Sequence, residues 1–111
     1  MPKLLYFRFV GANSEPSRSI HDIRTRHIVP VELNSYLCNA CRVISALHAA
    51  TGDTAASSKF SALMKEFSDA IDTILWNDEL GSWLDYDSTA ERQRLLFFPT
   101  NVAPLWARCV P

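Results

Sequence analysis

An excess of charge of either sign is missing from this sequence. Its 11 basic and 12 acidic side chains leave a formal net charge of -1, and the basic residues are scattered rather than set along one stripe. A polyanionic partner such as nucleic acid is therefore not expected. Long apolar runs are missing too. No stretch approaches the roughly 20 apolar residues that a membrane-spanning helix needs, and the apolar start at Leu4–Phe7 is broken by Arg8 before it reaches the length of a secretory signal. Cysteine is sparse. Cys38, Cys41 and Cys109 are odd in number, so they cannot all pair within the chain, and no dense disulfide framework is visible. The cellular compartment stays open on this count. With 111 residues the chain can bury one modest core, which excludes a large cleft closed by a second domain.

What is present is ordinary globular composition, 48% apolar and 21% charged, arranged in a helical pattern. Residues 1–22 mix glycine, proline and small polar side chains without an apolar period and are expected to be irregular. Pro30 then suits the first turn of a helix, and Glu32 sets negative charge at its positive end. Leu33, Leu37, Ala40, Ile44 and Leu47 recur at helical steps as one apolar face, and Gly52 ends the segment. Asp53 or Thr54 can cap a second helix whose apolar face is Phe60, Leu63, Met64, Phe67, Ile71, Ile74 and Leu75. Helices over about 30–51 and 54–76, joined by so short a turn, must lie antiparallel.

After Trp76 the pattern changes. Trp76–Asp87 sets two tryptophans and the carboxylates of Asp78, Glu79, Asp85 and Asp87 around Gly81. Indole faces stack on the apolar faces of sugar rings, and carboxylates accept from hydroxyls or serve as acid and base in glycoside hydrolysis. The alternation over Trp83–Asp87 predicts a strand, with Arg92–Phe98 preferred as its partner in a hairpin across residues 88–91 on aromatic and aliphatic content, and a helical turn over Ala90–Leu96 as the alternative. Pro104–Cys109 reads as the first turn of a third helix. One helical hairpin followed by the start of another is the pattern of a slice from a stack or toroid of hairpins.

Each constellation also has a structural reading, and for most of them it is preferred. Asp85 and Asp87, two apart, share a face of a strand, but this chain offers no second wall to hold a sugar between them, so capping or pairing with Arg92 or Arg94 is expected. Trp76, Trp83 and Trp106 are assigned to the core. Cys38 and Cys41 form a single C-x-x-C inside a helix. With Cys109 and His27 or His48 it could complete a metal site, but buried or half-buried thiols are the expectation. Asp69, Asp72, Lys65 and Glu66 form a solvated helix face. His21, His27 and His48 have no partner at triad spacing. Arg24 and Arg26 are expected to hold loop backbone or acidic side chains.

Three segments together resemble one family, the α,α-trehalases, inverting glycoside hydrolases with an (α/α)6 barrel. They are Ile23–Cys38 (IRTRHIVPVELNSYLC), Leu75–Asp87 (LWNDELGSWLDYD) and Phe97–Trp106 (FFPTNVAPLW), in the family's order and at its spacing. The resemblance runs from about Val10 to Val110 and implies a mainly α slice of that toroid: an irregular segment over 1–22, a partial barrel domain over 23–111, and a short β-hairpin near 83–98. It does not carry the active site over. Aligning the arginine of the family's Ser-Gly-Trp-Asp-Phe-Ser-Ser-Arg motif on Arg8 puts Leu4 where the catalytic acid belongs. The family's general base lies beyond Pro111 and its sugar-binding arginine motifs lie before Met1. No catalytic, cofactor-binding or metal-binding residue is therefore assigned, and no cofactor. The implied parent activity is hydrolysis of trehalose to two glucose molecules, with the isolated chain inactive. The implied partners are trehalose for the complete enzyme and the remaining barrel helices, or a second copy, for this chain. A non-catalytic helical interaction module, and a hairpin of another α/α toroid glycosidase, are the alternatives.

Overall fold

A computed structural model of the chain describes residues 27–110. The irregular segment expected over 1–22, the alignment of Leu4 and Arg8, and His21, Arg24 and Arg26 lie outside the described residues.

Strand β1 (Ile28–Val29) leads through extended Pro30 into helix α1 (Val31–Ala50). Proline has no donor and a fixed φ, so it suits the residue that opens a helix. The helix closes at Thr51 and Gly52, whose φ of +84° is the left-handed conformation that a non-glycine side chain resists. Asp53 follows at once as the N-cap of α2 (Thr54–Ala70), its carboxylate accepting from the Ala56 N–H at 3.0 Å. A turn this short forces α1 and α2 to run antiparallel. They are tied by Ser45 Oγ donating to the Ser57 carbonyl at 2.8 Å and by a stacked His48–Phe60 pair.

The helix expected to run from 54 to 76 changes pitch before its end. From Ile71 to Leu75 it widens to a π-helical turn, which sets both Ile71 and Leu75 fully inside the core. Trp76 then leaves the helix because its backbone is taken by a strand pairing. The predicted Trp83–Asp87 strand is in fact two strands. β2 (Trp76–Asn77) pairs antiparallel with β3 (Ser82–Trp83), and β4 (Tyr86–Asp87) pairs with both β1 and β5 (Arg92–Gln93) in the order β1-β4-β5. The β4–β5 hairpin turns over residues 88–91, as expected, but its second strand is only two residues long. A 3-10 turn (Pro99–Val102) and the short helix α3 (Ala103–Trp106) finish the fold. The architecture is mainly α, an antiparallel helical hairpin with small antiparallel sheets.

The core brings together Val29, Val31, Phe67, Ile71, Leu75, Trp83 and the three cysteines. On α2 the face read from spacing is the one that packs. On α1 it is not. The buried residues there are Val31, Asn34, Ser35, Cys38 and Cys41. Of the predicted face, Leu33, Leu37 and Ile44 are half-buried, Ala40 is exposed and Leu47 is 62% exposed. A helix apolar over most of its circumference has no single face that hydrophobicity can select. Here α2 and the C-terminal segment claim the side carrying Asn34 and Ser35, whose side chains satisfy themselves on the carbonyls of Pro30 and Val31. The opposite side stays open, with Tyr36, Ala40, Val43 and Leu47 along it.

Candidate functional site

The carboxylate-and-tryptophan segment sits where the two small sheets meet the first turn of α1. Trp76 and Trp83 are cross-strand partners, and their rings meet edge to face with centroids 4.8 Å apart. Trp83 is buried, and the half-buried Trp76 donates its indole N–H to Asp78 Oδ1 at 2.8 Å. Trp83, at 8% exposure, presents no open face for stacking. Trp106, assigned to the core from sequence, is instead 69% exposed, touching Tyr36 edge to face at 5.6 Å. That assignment is corrected: α3 is a single turn and has only one side to bury, which it gives to Ala103 and Pro104.

Asp85 lies between β3 and β4 rather than on a strand, and only 7% of it is exposed. Its Oδ1 accepts from the Val31 N–H at 2.8 Å across 54 residues, so this carboxylate caps α1 at a position where Pro30 cannot. Burial raises its pKa above the ordinary aspartate value, although the Val31 N–H and the charge of Arg94 pull the other way. Asp87 turns outward and accepts from the N–H groups of Thr89 and Ala90, building the turn of the β4–β5 hairpin. The two carboxylates thus do not share a face. Inverting hydrolysis needs an acid and a base about 6.5–9.5 Å apart on either side of the scissile bond, and here one aspartate is sealed at a helix end while the other organises a turn.

A recess of about 250 Å³ lies beside β5, lined by Asp87, Arg92, Gln93, Arg94, Leu95 and Leu96. Its guanidinium groups are hydrogen-bond donors, but Gln93 is already engaged. The Gln93 side-chain amide donates to the carbonyls of Ile74 and Trp76, both at 3.0 Å, while its oxygen accepts from Asn77 Nδ2 at 2.8 Å. This one side chain closes the end of the π turn and joins the two sheets. Nothing in the sequence marked Gln93, because its partners are backbone carbonyls 17 and 19 residues away. Gln93→Ala should lower stability by about 1–2 kcal/mol by leaving those carbonyls unpaired, read as a lower urea midpoint. Gln93→Glu, which offers the carbonyls no donor, should be at least as damaging.

The cysteines are the largest departure from expectation. Cys38 and Cys109 are joined in a disulfide, with Cα atoms 6.2 Å apart across 71 residues of sequence, and Cys41 remains a buried thiol. Cys38 is thus not the thiol expected from sequence, because the partner that consumes it arrives from the far end of the chain. Among the described residues no cluster of three or more histidine, cysteine or acidic side chains is placed to hold a metal. His27 is exposed and lends its carbonyl to Ser88, and His48 lies 3.7 Å from Asp53 at the helix–helix turn. Lys65 and Asp69 pair on the exposed face of α2, where Glu66 is also exposed, as is Asp72 in the π turn that follows. No helix among the described residues is long and apolar enough to cross a membrane.

Comparison with known proteins points one way. A family model described as Trehalase matches residues 5–111. The Trehalase of Homo sapiens is 36% identical over 91 residues, covering 82% of this chain and 16% of that protein. The Trehalase of Pimpla hypochondriaca is 38% identical over 90 residues, covering 81% of this chain and 15% of that protein. A protein of Escherichia coli O157:H7 described as a putative periplasmic trehalase is 29% identical over 89 residues, covering 80% and 16%. The chain therefore spans only 15–16% of the length of these relatives.

Proposed function

The chain belongs to the trehalase family, and from that premise we propose that it is a scaffold section of an α,α-trehalase, the inverting enzyme that hydrolyses trehalose to two glucose molecules. The observation that carries this reading is the family match, which spans residues 5–111. In the proposal residues 23–111 are a partial barrel domain, and no residue of this chain is the catalytic acid or base. Asp85 and Asp87 serve the scaffold, one holding the start of α1 and the other the β4–β5 turn.

The open side of α1 supports the same reading. Tyr36, Ala40, Val43 and Leu47 follow the alternating four- and three-residue steps of a helix-packing seam. A helix apolar on two opposite sides is one that packs between neighbours. In this proposal the neighbours are the other helices of the family's toroid.

Two assays test the proposal. The purified chain should release no glucose from trehalose above background, and release at the rate of a complete trehalase would overturn the scaffold assignment. A chimera in which this chain replaces the matching segment of the human relative should retain glucose release. The same open side supports a second reading, a non-catalytic helical interaction module. Coding sequence for a Ser-Gly-Trp-Asp motif upstream in the same reading frame favours the enzyme, and its absence favours the module.

A further inference from the structure

We propose that this chain matures in an oxidising compartment, where the Cys38–Cys109 disulfide acts as a covalent staple holding the C-terminal segment from Pro99 to Val110 on α1, while Cys41 stays a thiol. The proposal is independent of the trehalase reading, since it rests on three cysteines and the elements they join.

The segment needs a staple. From Pro99 onward it has one 3-10 turn and one turn of α-helix, too little regular structure to stand by itself. Several of its larger apolar groups face outward: Val102, Leu105 and Trp106 are all exposed. Its exit from α3 is also unfavourable. Arg108 has a φ of +56°, in the left-handed region where a non-glycine residue is uncommon, and its N–H and that of Cys109 close back on the carbonyls of Leu105 and Pro104. The apolar side chains it does bury, Ala103, Pro104 and Ala107, are small, so packing grips this strained helix end over little area, whereas the disulfide anchors the residue just after it. Cys109 is 2% exposed and its sulfur lies 3.9 Å from the carbonyl of Ser35, one turn before Cys38. The link fixes α3 against the first half of α1 and with it the Tyr36–Trp106 contact.

The structure also selects which cysteine pairs. Cys38 and Cys41 are one turn apart on α1 and both are in the core. Cys41 is free, and burial raises its thiol pKa, which keeps the thiolate scarce and exchange with the neighbouring disulfide slow. Formation balances as a dithiol–disulfide exchange with an oxidised dithiol oxidoreductase. The Cys38 thiolate attacks one sulfur of the donor disulfide and releases one donor thiolate. The Cys109 thiolate then attacks the Cys38 sulfur and releases the second. Two protons and two electrons leave the chain and end on the donor as two thiols. Reducing cytosol runs the same exchange backwards, and both sulfurs are sealed from it once the chain is folded.

The test uses the full chain, made in the bacterial periplasm. Thiol titration in denaturant without reductant should find one reactive thiol of the three cysteines, and peptide mapping should recover Cys38 linked to Cys109. Reduction of the folded chain should lower Tm on the order of 15 °C and speed trypsin cleavage after Arg108 roughly tenfold. The Cys41→Ser variant should keep the link and the Tm while its thiol count falls to zero, which controls for general misfolding. Three titratable thiols, a Cys38–Cys41 or Cys41–Cys109 link, or reduction that leaves both Tm and cleavage unchanged would each overturn the proposal.

Discussion

Trp83→Ala should destabilise the chain by about 3–5 kcal/mol, the range for emptying a buried aromatic position. Total stability of a domain is only about 5–15 kcal/mol, so the variant is expected to lose its cooperative transition or to show it at a greatly lowered urea midpoint. Trp83 is both a core side chain and a strand residue. Its ring fills space beside Ile71 and Leu75 at the end of the π turn and meets Trp76 edge to face. Its backbone pairs with Trp76, and the next residue, Leu84, donates to the Leu75 carbonyl at 2.8 Å. Removing the indole opens a cavity at the junction of helix and sheet, which neither element can close without breaking that pairing. Trp83→Phe keeps much of the volume and an aromatic edge, and should recover more than half of the loss. Trp76→Ala, at a half-buried position with its N–H on exposed Asp78, should cost less than Trp83→Ala. Equal costs for the two tryptophans in urea titrations followed by far-UV circular dichroism would show that the pair, not the burial of Trp83, sets the effect.

Asp85→Ala should cost about 1–3 kcal/mol, the penalty for leaving a buried donor unpaired, here the Val31 N–H at the start of α1. Asp85→Asn keeps an acceptor oxygen and should cost less than the alanine variant. The pH dependence separates charge from cap. Burial lifts the Asp85 pKa above its ordinary value of 3.8, so the folded chain holds this proton more tightly than the unfolded chain. Stability from this group is therefore greatest at acid pH. It declines as pH rises from the unfolded value through the raised folded value, and is level above that. Asparagine has no such proton. The Asp85→Asn variant should gain on the natural chain across that window, and a stability difference that does not change with pH would refute the raised pKa.

The helices and the family were legible in the sequence; the roles of particular side chains were less so. On α2 a single apolar stripe, Phe60 to Leu75, leaves one way to bury the helix, and that face packs. Asp53 as a cap and Gly52 as a stop are local devices and can be read locally. On α1, Leu33 to Leu47 looked like the core face because it is the most apolar line. The chain leaves that line half-buried at Leu33, Leu37 and Ile44 and buries more deeply the line through Asn34 and Cys38, since polar groups that bond their own helix's carbonyls are cheap to enclose. The segment from Trp76 to Asp87 announced sugar chemistry through its composition. Two of its carboxylates, Asp85 and Asp87, hold backbone, because a carboxylate's role depends on which N–H groups surround it.

By itself the sequence determined one helical hairpin, the turn between its helices, a β-hairpin over residues 88–91 and membership of a family, all of which rest on periodicity, capping residues or motif order. Only the tertiary structure decided which side of α1 is buried, that Asp85 caps a helix 54 residues away, that Gln93 ties the two sheets, and that Cys109 rather than Cys41 is the partner of Cys38. The physical reason is the same in each case. Periodicity and caps are interactions between residues a few positions apart, whereas burial, long-range hydrogen bonds and disulfides depend on which distant groups arrive beside one another, and that is settled only when the chain has packed.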